Sequence, residues 1–205
     1  MTDKNTPAIA FVGLGSMGLG MAKNLLKHGH KVVGVDPVAA AREAFKAAGG
    51  VLADTPVAAA KTADVVVVAV VNDKQVETVL YGENGAVSGL RKGGLVMQCA
   101  TVPAAFAKSL GERLAATGHD LLDAPMSGGR ARAESGELTF MASGAPRAFA
   151  TAERALAASR TGMSSKRMVM RSPLNVVTGA PGLACREIQN VGRSAPRTSS
   201  FSTRS

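Results

Sequence analysis

Ile9-Ala10-Phe11-Val12-Gly13-Leu14-Gly15-Ser16-Met17-Gly18 is a short apolar run that breaks into three glycines spaced Gly-x-Gly-x-x-Gly. From Ser16 onward, Met17, Met21, Leu25 and His28 recur at helical spacing, and the next apolar run, Val32-Val33-Gly34-Val35, closes on the acidic Asp36. Strand, turn, helix, strand and acid in that order are what a dinucleotide-binding βαβ unit requires. Gly13 permits the tight turn, Gly15 lets the backbone approach a pyrophosphate, and Gly18 lets the helix pack closely on the strand. The helix then turns its free N–H groups toward the phosphates. A carboxylate at Asp36 would accept hydrogen bonds from ribose hydroxyls and repel a 2′-phosphate, so the pattern predicts NAD rather than NADP.

Working outward, the chain alternates. Apolar runs over 8–12, 31–35, 65–70, 95–98, 120–123 and 138–142 read as strands. The segments 16–28, 38–48, 56–61, 73–80, 103–117 and 146–158 have helical composition. Continuous apolar strands separated by helices predict an α/β fold, a doubly wound parallel sheet covered on both faces. Residues 1–158 are thus expected to form one NAD-binding Rossmann domain. From 159 to 205, Gly, Pro, Arg and Ser interrupt every run before it reaches two helical turns. Such a segment buries too little apolar surface to offset its ordering entropy, so an irregular basic tail is expected there.

Charge follows the same division. The formal net charge is +9, and residues 151–205 hold nine of the 24 Lys and Arg but only two of the 15 acidic residues. The tail lacks the aromatic interleaving and basic helix face that would track a phosphate backbone, so no nucleic-acid partner is expected. Cys99 and Cys185 form no spacing motif, which predicts a reducing, cytoplasmic setting and no metal site. The opening residues show no secretory or transit pattern, and the apolar run 65–71 is too short to span a bilayer.

Three constellations fall at strand ends, where a doubly wound sheet places its ligands. The first is Gly13, Leu14, Gly15, Ser16, Met17 and Gly18 with Asp36. The second is Val70-Val71-Asn72 with Thr101, which would flank the nicotinamide half of the cofactor; by residue type Thr101 serves equally as a helix N-cap before Pro103. The third is Ser127-Gly128-Gly129 after Asp123-Ala124-Pro125-Met126, which suits either a substrate carboxylate or an ordinary turn.

Taken together, Phe11 to Gly18, Met21-Ala22-Lys23-Asn24-Leu25 and Asp123 to Gly129 resemble the β-hydroxyacid dehydrogenase superfamily, in its 3-hydroxyisobutyrate dehydrogenase group. Val71-Asn72-Asp73-Lys74-Gln75 with its continuation to Gly85, and Gly136-Glu137-Leu138-Thr139-Phe140-Met141-Ala142-Ser143-Gly144, point within it to the L-threonate dehydrogenase branch. The resemblance covers residues 8–158. It implies NAD-dependent oxidation of a small hydroxy acid. Gly13 to Gly18 and Asp36 would hold the adenosine and pyrophosphate side. Val71, Asn72 and Thr101 would border the nicotinamide ribose, and Ser127, Gly128 and Gly129 would hold the substrate carboxylate.

The family's general acid/base lysine has no counterpart near Val176-Val177-Thr178. Lys166 in Gly162-Met163-Ser164-Ser165-Lys166 comes too early and lacks the expected partner one turn on, so no catalytic residue is assigned. The family's helical second domain is also expected to be missing, and the tail reads as a frameshifted remnant. Weak or no turnover follows. The alternative is an NAD-binding regulatory module that uses its tail for a partner. Apolar surface left by the missing domain would favour homo-oligomers.

Overall fold

A computed structural model describes residues 7–157 and 168–171. The elements are β1 (Ile9–Val12), α1 (Gly18–Lys27), β2 (Val32–Val35), α2 (Ala39–Lys46), β3 (Val51–Leu52), α3 (Pro56–Ala60), β4 (Val65–Val68), α4 (Asp73–Tyr81), a 3-10 turn (Ala86–Ser88), β5 (Leu95–Gln98), α5 (Ala104–Ala116), β6 (Asp120–Asp123), β7 (Met126–Ser127), α6 (Gly129–Ser135), β8 (Thr139–Gly144), α7 (Pro146–Ala157) and β9 (Met168–Arg171). They build one sheet in the order β3-β2-β1-β4-β5-β6-β8, with β7 and β9 both paired to β8.

The five strands β1, β2, β4, β5 and β6 are parallel and flush. Val32, Ile9, Val65, Leu95 and Asp120 form the lowest row, and Val35, Val12, Val68, Gln98 and Asp123 the highest. Alternate residues feed two separate cores. Ile9, Phe11, Val65, Val67, Leu95 and Met97 pack under α1, α2, α6 and α7, while Ala10, Val12, Val66, Val68 and Val96 pack under α3, α4 and α5. A strand such as Val65–Val68 is buried along its whole length because both faces are covered. The change of direction between β1 and β4 makes the carboxyl ends of these two strands the switch point of the sheet.

The doubly wound α/β sheet expected from the sequence is therefore present, with one departure from parallel order. β8 runs antiparallel to β6 and β7, and β9 runs parallel to β8. The link from Ser127 to Thr139 holds only the two-turn helix α6, too short for the crossover that a parallel return needs. β6 and β7 keep a single register on β8. Leu122 pairs with Gly144 and Asp123 with Ser143, then Met126 with Phe140 and Ser127 with Thr139. The ladder pauses at Ala124-Pro125, where the Met141 N–H donates to the Pro125 carbonyl at 3.0 Å.

Within the segment expected to be irregular, Met168–Arg171 forms a strand. Lys166 and the rest of 159–205 lie outside the described residues. Among the described residues no helix is long and apolar enough to cross a membrane, and no cluster of His, Cys, Asp and Glu could hold a metal.

Candidate functional site

The carboxyl edge of the sheet gathers the predicted site residues, strand by strand. Gly13 leaves β1 with φ +99, a conformation open to glycine. A Cβ there would also strike the Ala69 carbonyl oxygen at 2.5 Å and approach Val70 at 3.3 Å, so the turn lies hard against the loop that follows β4. Gly18 opens α1, and a Cβ on it would stand 2.0 Å from the Gly13 carbonyl oxygen. These two glycines are required by the chain itself.

Gly15 is different. It is exposed, and a Cβ on it would meet nothing within 4 Å. Nothing among the described residues explains the missing side chain, whereas a pyrophosphate laid against the backbone would. The Gly15, Ser16 and Met17 N–H groups have no acceptor among the described residues, and Ser16 is exposed beside them. This cradle fits a dinucleotide. Leu14 contributes otherwise: its side chain is buried in the core and its N–H is already engaged.

The group engaging it is Asp36, just beyond β2. One carboxylate oxygen accepts the Leu14 N–H at 2.6 Å and the other accepts the Val38 N–H at 2.8 Å. Asp36 is almost fully buried and shapes the glycine turn directly, a contact that motif spacing does not reveal.

After β4, Val71 is 78% exposed and Asn72 caps α4 by accepting the Gln75 N–H at 3.0 Å. The Gln75 side chain answers by accepting the Val71 N–H at 2.9 Å. Asn72 is therefore a helix cap first. Thr101, after β5, is exposed and caps nothing: α5 starts at Ala104 with Pro103 at its N-cap. Arg113 fixes the two helices beneath these loops, donating twice to Glu77 at 2.7 and 2.9 Å and lying over the Tyr81 ring.

The third constellation begins at β7. Ser127 is exposed, and Gly128 and Gly129, where α6 begins, both have positive φ. Gly128 has a second constraint, since the Arg132 stem passes 2.9 Å from the place a Cβ would take. Arg130 on the same helix pairs with Glu134 at 2.8 Å, whereas Arg132 is exposed and has no acidic partner among the described residues. A cation one turn from a bare loop suits a carboxylate. Sequence reasoning missed Arg132, although its i+4 spacing from Gly128 places it over that loop.

Below the loops the highest row of the sheet is unexpectedly polar. Gln98 is fully buried, and among the described residues neither its amide nitrogen nor its oxygen has a partner. Its in-row neighbour Asp123 is half-buried, and burial holds its carboxyl above the ordinary value of 3.8. Cys99 beside them faces the apolar core, where burial and the nearby Asp123 charge push its thiol up and suppress thiolate chemistry. Among the described residues no lysine follows Lys108 in sequence.

Residues 8–169 match the sequence family described as the NAD binding domain of 6-phosphogluconate dehydrogenase. Over 150 residues the chain is 47% identical to the L-threonate dehydrogenase of Cupriavidus necator, covering 73% of this chain and 50% of that protein. A 3-hydroxyisobutyrate dehydrogenase structure from Salmonella typhimurium superposes with a TM-score of 0.73 at 34% identity, over 81% of this chain and 57% of that one. Another, the Mycobacterium tuberculosis 3-hydroxyisobutyrate dehydrogenase with L-serine, superposes with a TM-score of 0.73 at 28% identity, over 82% and 55%. The chain spans about half the length of the curated relatives it matches.

Proposed function

The chain belongs to the family of the NAD binding domain of 6-phosphogluconate dehydrogenase, and from that premise we propose that it binds NAD beside a small hydroxy acid, as the nucleotide half of an L-threonate dehydrogenase-like enzyme. The observation that carries this reading is the contrast among the glycines. Gly13 and Gly18 are forced by packing, while Gly15 is bare toward open space, where a ligand's phosphates need it to be.

In this reading the N–H groups of Gly15, Ser16 and Met17 hold the pyrophosphate. Asp36 lies where ribose hydroxyls would reach its carboxylate, and its negative charge disfavours a 2′-phosphate, so NAD is taken in preference to NADP. Val71, Asn72 and Thr101 border the nicotinamide side, with the Asn72 amide nitrogen and the Thr101 hydroxyl left available by the helices they adjoin. Ser127, Gly128 and Gly129, with Arg132 over them, orient the substrate carboxylate. When bound, NAD supplies the hydride acceptor for oxidation of the substrate's C–H bond. The substrate hydroxyl must lose a proton in the same step. The sequence near Val176-Val177-Thr178 carries no lysine where the family's acid/base residue would fall, so binding should be intact and turnover weak.

Isothermal titration of the full chain with NAD and NADP, followed by NADH absorbance with L-threonate, tests the reading. Saturable NAD binding with clear preference over NADP and slow NADH formation is expected. Absence of NAD binding would refute it, and rapid turnover would refute the claim that catalysis is impaired.

A further inference from the structure

Asn24 stands in the middle of α1, a position where its short amide competes with helical backbone bonding and contributes nothing to propensity. Its placement has another explanation. The Asn24 Nδ2 donates to the Ala133 carbonyl at 2.8 Å and to the Glu134 carbonyl at 3.0 Å, besides its own Gly20 carbonyl at 3.1 Å. Those two acceptors are last-turn carbonyls of α6, which a helix leaves without internal donors where it stops. The Arg132 carbonyl is met locally by the Glu137 N–H at 2.7 Å, and the next two are met by α1.

The approach is close because Gly20 has no side chain. A Cβ there would stand 2.8 Å from the Ala133 carbonyl carbon and 2.9 Å from the Glu134 nitrogen. α6 has seven residues, too few to hold themselves as a helix without tertiary support. It begins at Gly129, capped by Gly128, and α1 begins where the Gly13–Gly18 turn ends. Two loops far apart in sequence thus hang from two helices joined at one amide.

We propose that Asn24 is a positioning residue that sets the Ser127-Gly128-Gly129 acid-binding loop against the dinucleotide loop by holding the last turn of α6 on α1. The proposal rests on the reading of those loops as acid and dinucleotide sites. Loss of the tie leaves α1 and its loop in place and lets α6 drift. Dinucleotide affinity and acid affinity should therefore separate.

The test compares the full wild-type chain with Asn24→Leu, which removes the donor, and Gly20→Ala, which keeps Asn24 but wedges the helices apart. Gly20→Ala also favours α1 as a helix, so general weakening of α1 cannot account for its effect. NAD affinity, L-threonate affinity of the NAD-saturated protein and amide exchange over residues 127–136 are measured. Both variants should keep NAD affinity within about twofold, weaken L-threonate about fivefold or more, and speed exchange over 127–136. Unchanged L-threonate affinity and exchange in either variant overturns the proposal, as does an equal fall in both affinities. A wild-type chain that binds no NAD, or that binds NAD and then no L-threonate, instead overturns the site reading and the proposal with it.

Discussion

The Asp36 carboxylate accepts the Leu14 backbone N–H at 2.6 Å, so the residue proposed to select the cofactor also shapes the turn proposed to cradle it. The second oxygen accepts the Val38 N–H at 2.8 Å, and both ties are buried or partly buried. Asp36→Asn leaves only one oxygen for two donors. Hydrogen bonds to a charged acceptor contribute about 1.5–3 kcal/mol, and a loss of stability in that range is expected by denaturant unfolding. NAD should bind more weakly and discrimination against NADP should shrink. An unaltered ratio of the two affinities in the variant would remove Asp36 from cofactor choice.

Gly15 and Gly18 predict opposite failures. Gly15→Ala meets no atom of the protein, so the melting temperature should hold or rise slightly, by the about 0.4–1 kcal/mol typical of a compatible Gly→Ala change. NAD titration should nevertheless weaken at least about tenfold, because the methyl occupies the phosphate's place. Gly18→Ala puts a Cβ 2.0 Å from the Gly13 carbonyl oxygen and should fail in thermal unfolding before binding can be measured. A Gly15→Ala chain that binds NAD like the wild type contradicts the cradle.

Asp123 gives a pH dependence with a definite sign. Burial raises its carboxyl in the folded chain above the unfolded 3.8, so the fold binds this proton more tightly than the unfolded chain does. Its stabilising contribution is complete below pH 3.8 and is lost as pH rises through the raised folded value. Asp123→Asn should therefore be more stable than wild type at pH 7, with the difference closing as pH falls and vanishing below 3.8. Thermal melts across that range would show it, and a difference independent of pH would exclude the titration as its cause.

Gln98 provides a stability test without ionisation. Both of its side-chain polar atoms are buried and unpaired among the described residues, a defect that costs about 1–3 kcal/mol. Gln98→Met keeps the volume and removes the polar atoms, so urea unfolding should shift upward by a comparable amount. A destabilised Met variant would mean that the amide meets a partner in solution.

The strand–turn–helix–strand–acid order around Gly13 and Asp36 could be read because each part has a local signature in three or more adjacent residues. The flush valine strand Val65–Val68 was legible for the same reason: it is buried on both faces and uniformly apolar. β3 and β7, of two residues each, and α6, of seven, were too short to show a period. The antiparallel return of β8 was hidden because hydrophobic pattern marks a strand but not its direction. At the site, loop membership was readable, but the engagement of the Leu14 N–H by Asp36 and the packing of the Arg132 stem over Gly128 were not. These are contacts between residues separated by a turn or a strand, and composition carries no record of them.

The flush upper row of Val35, Val12, Val68, Gln98 and Asp123 has one more consequence. The loops after β1, β2, β4 and β5 spring from strands that end at a common height. Lengthening or exchanging one loop therefore leaves the pairing of its neighbours undisturbed. On the proposed reading the same frame can be refitted for new ligands one loop at a time, with the tie between Asn24 and α6 as the place where two of those changes would have to agree.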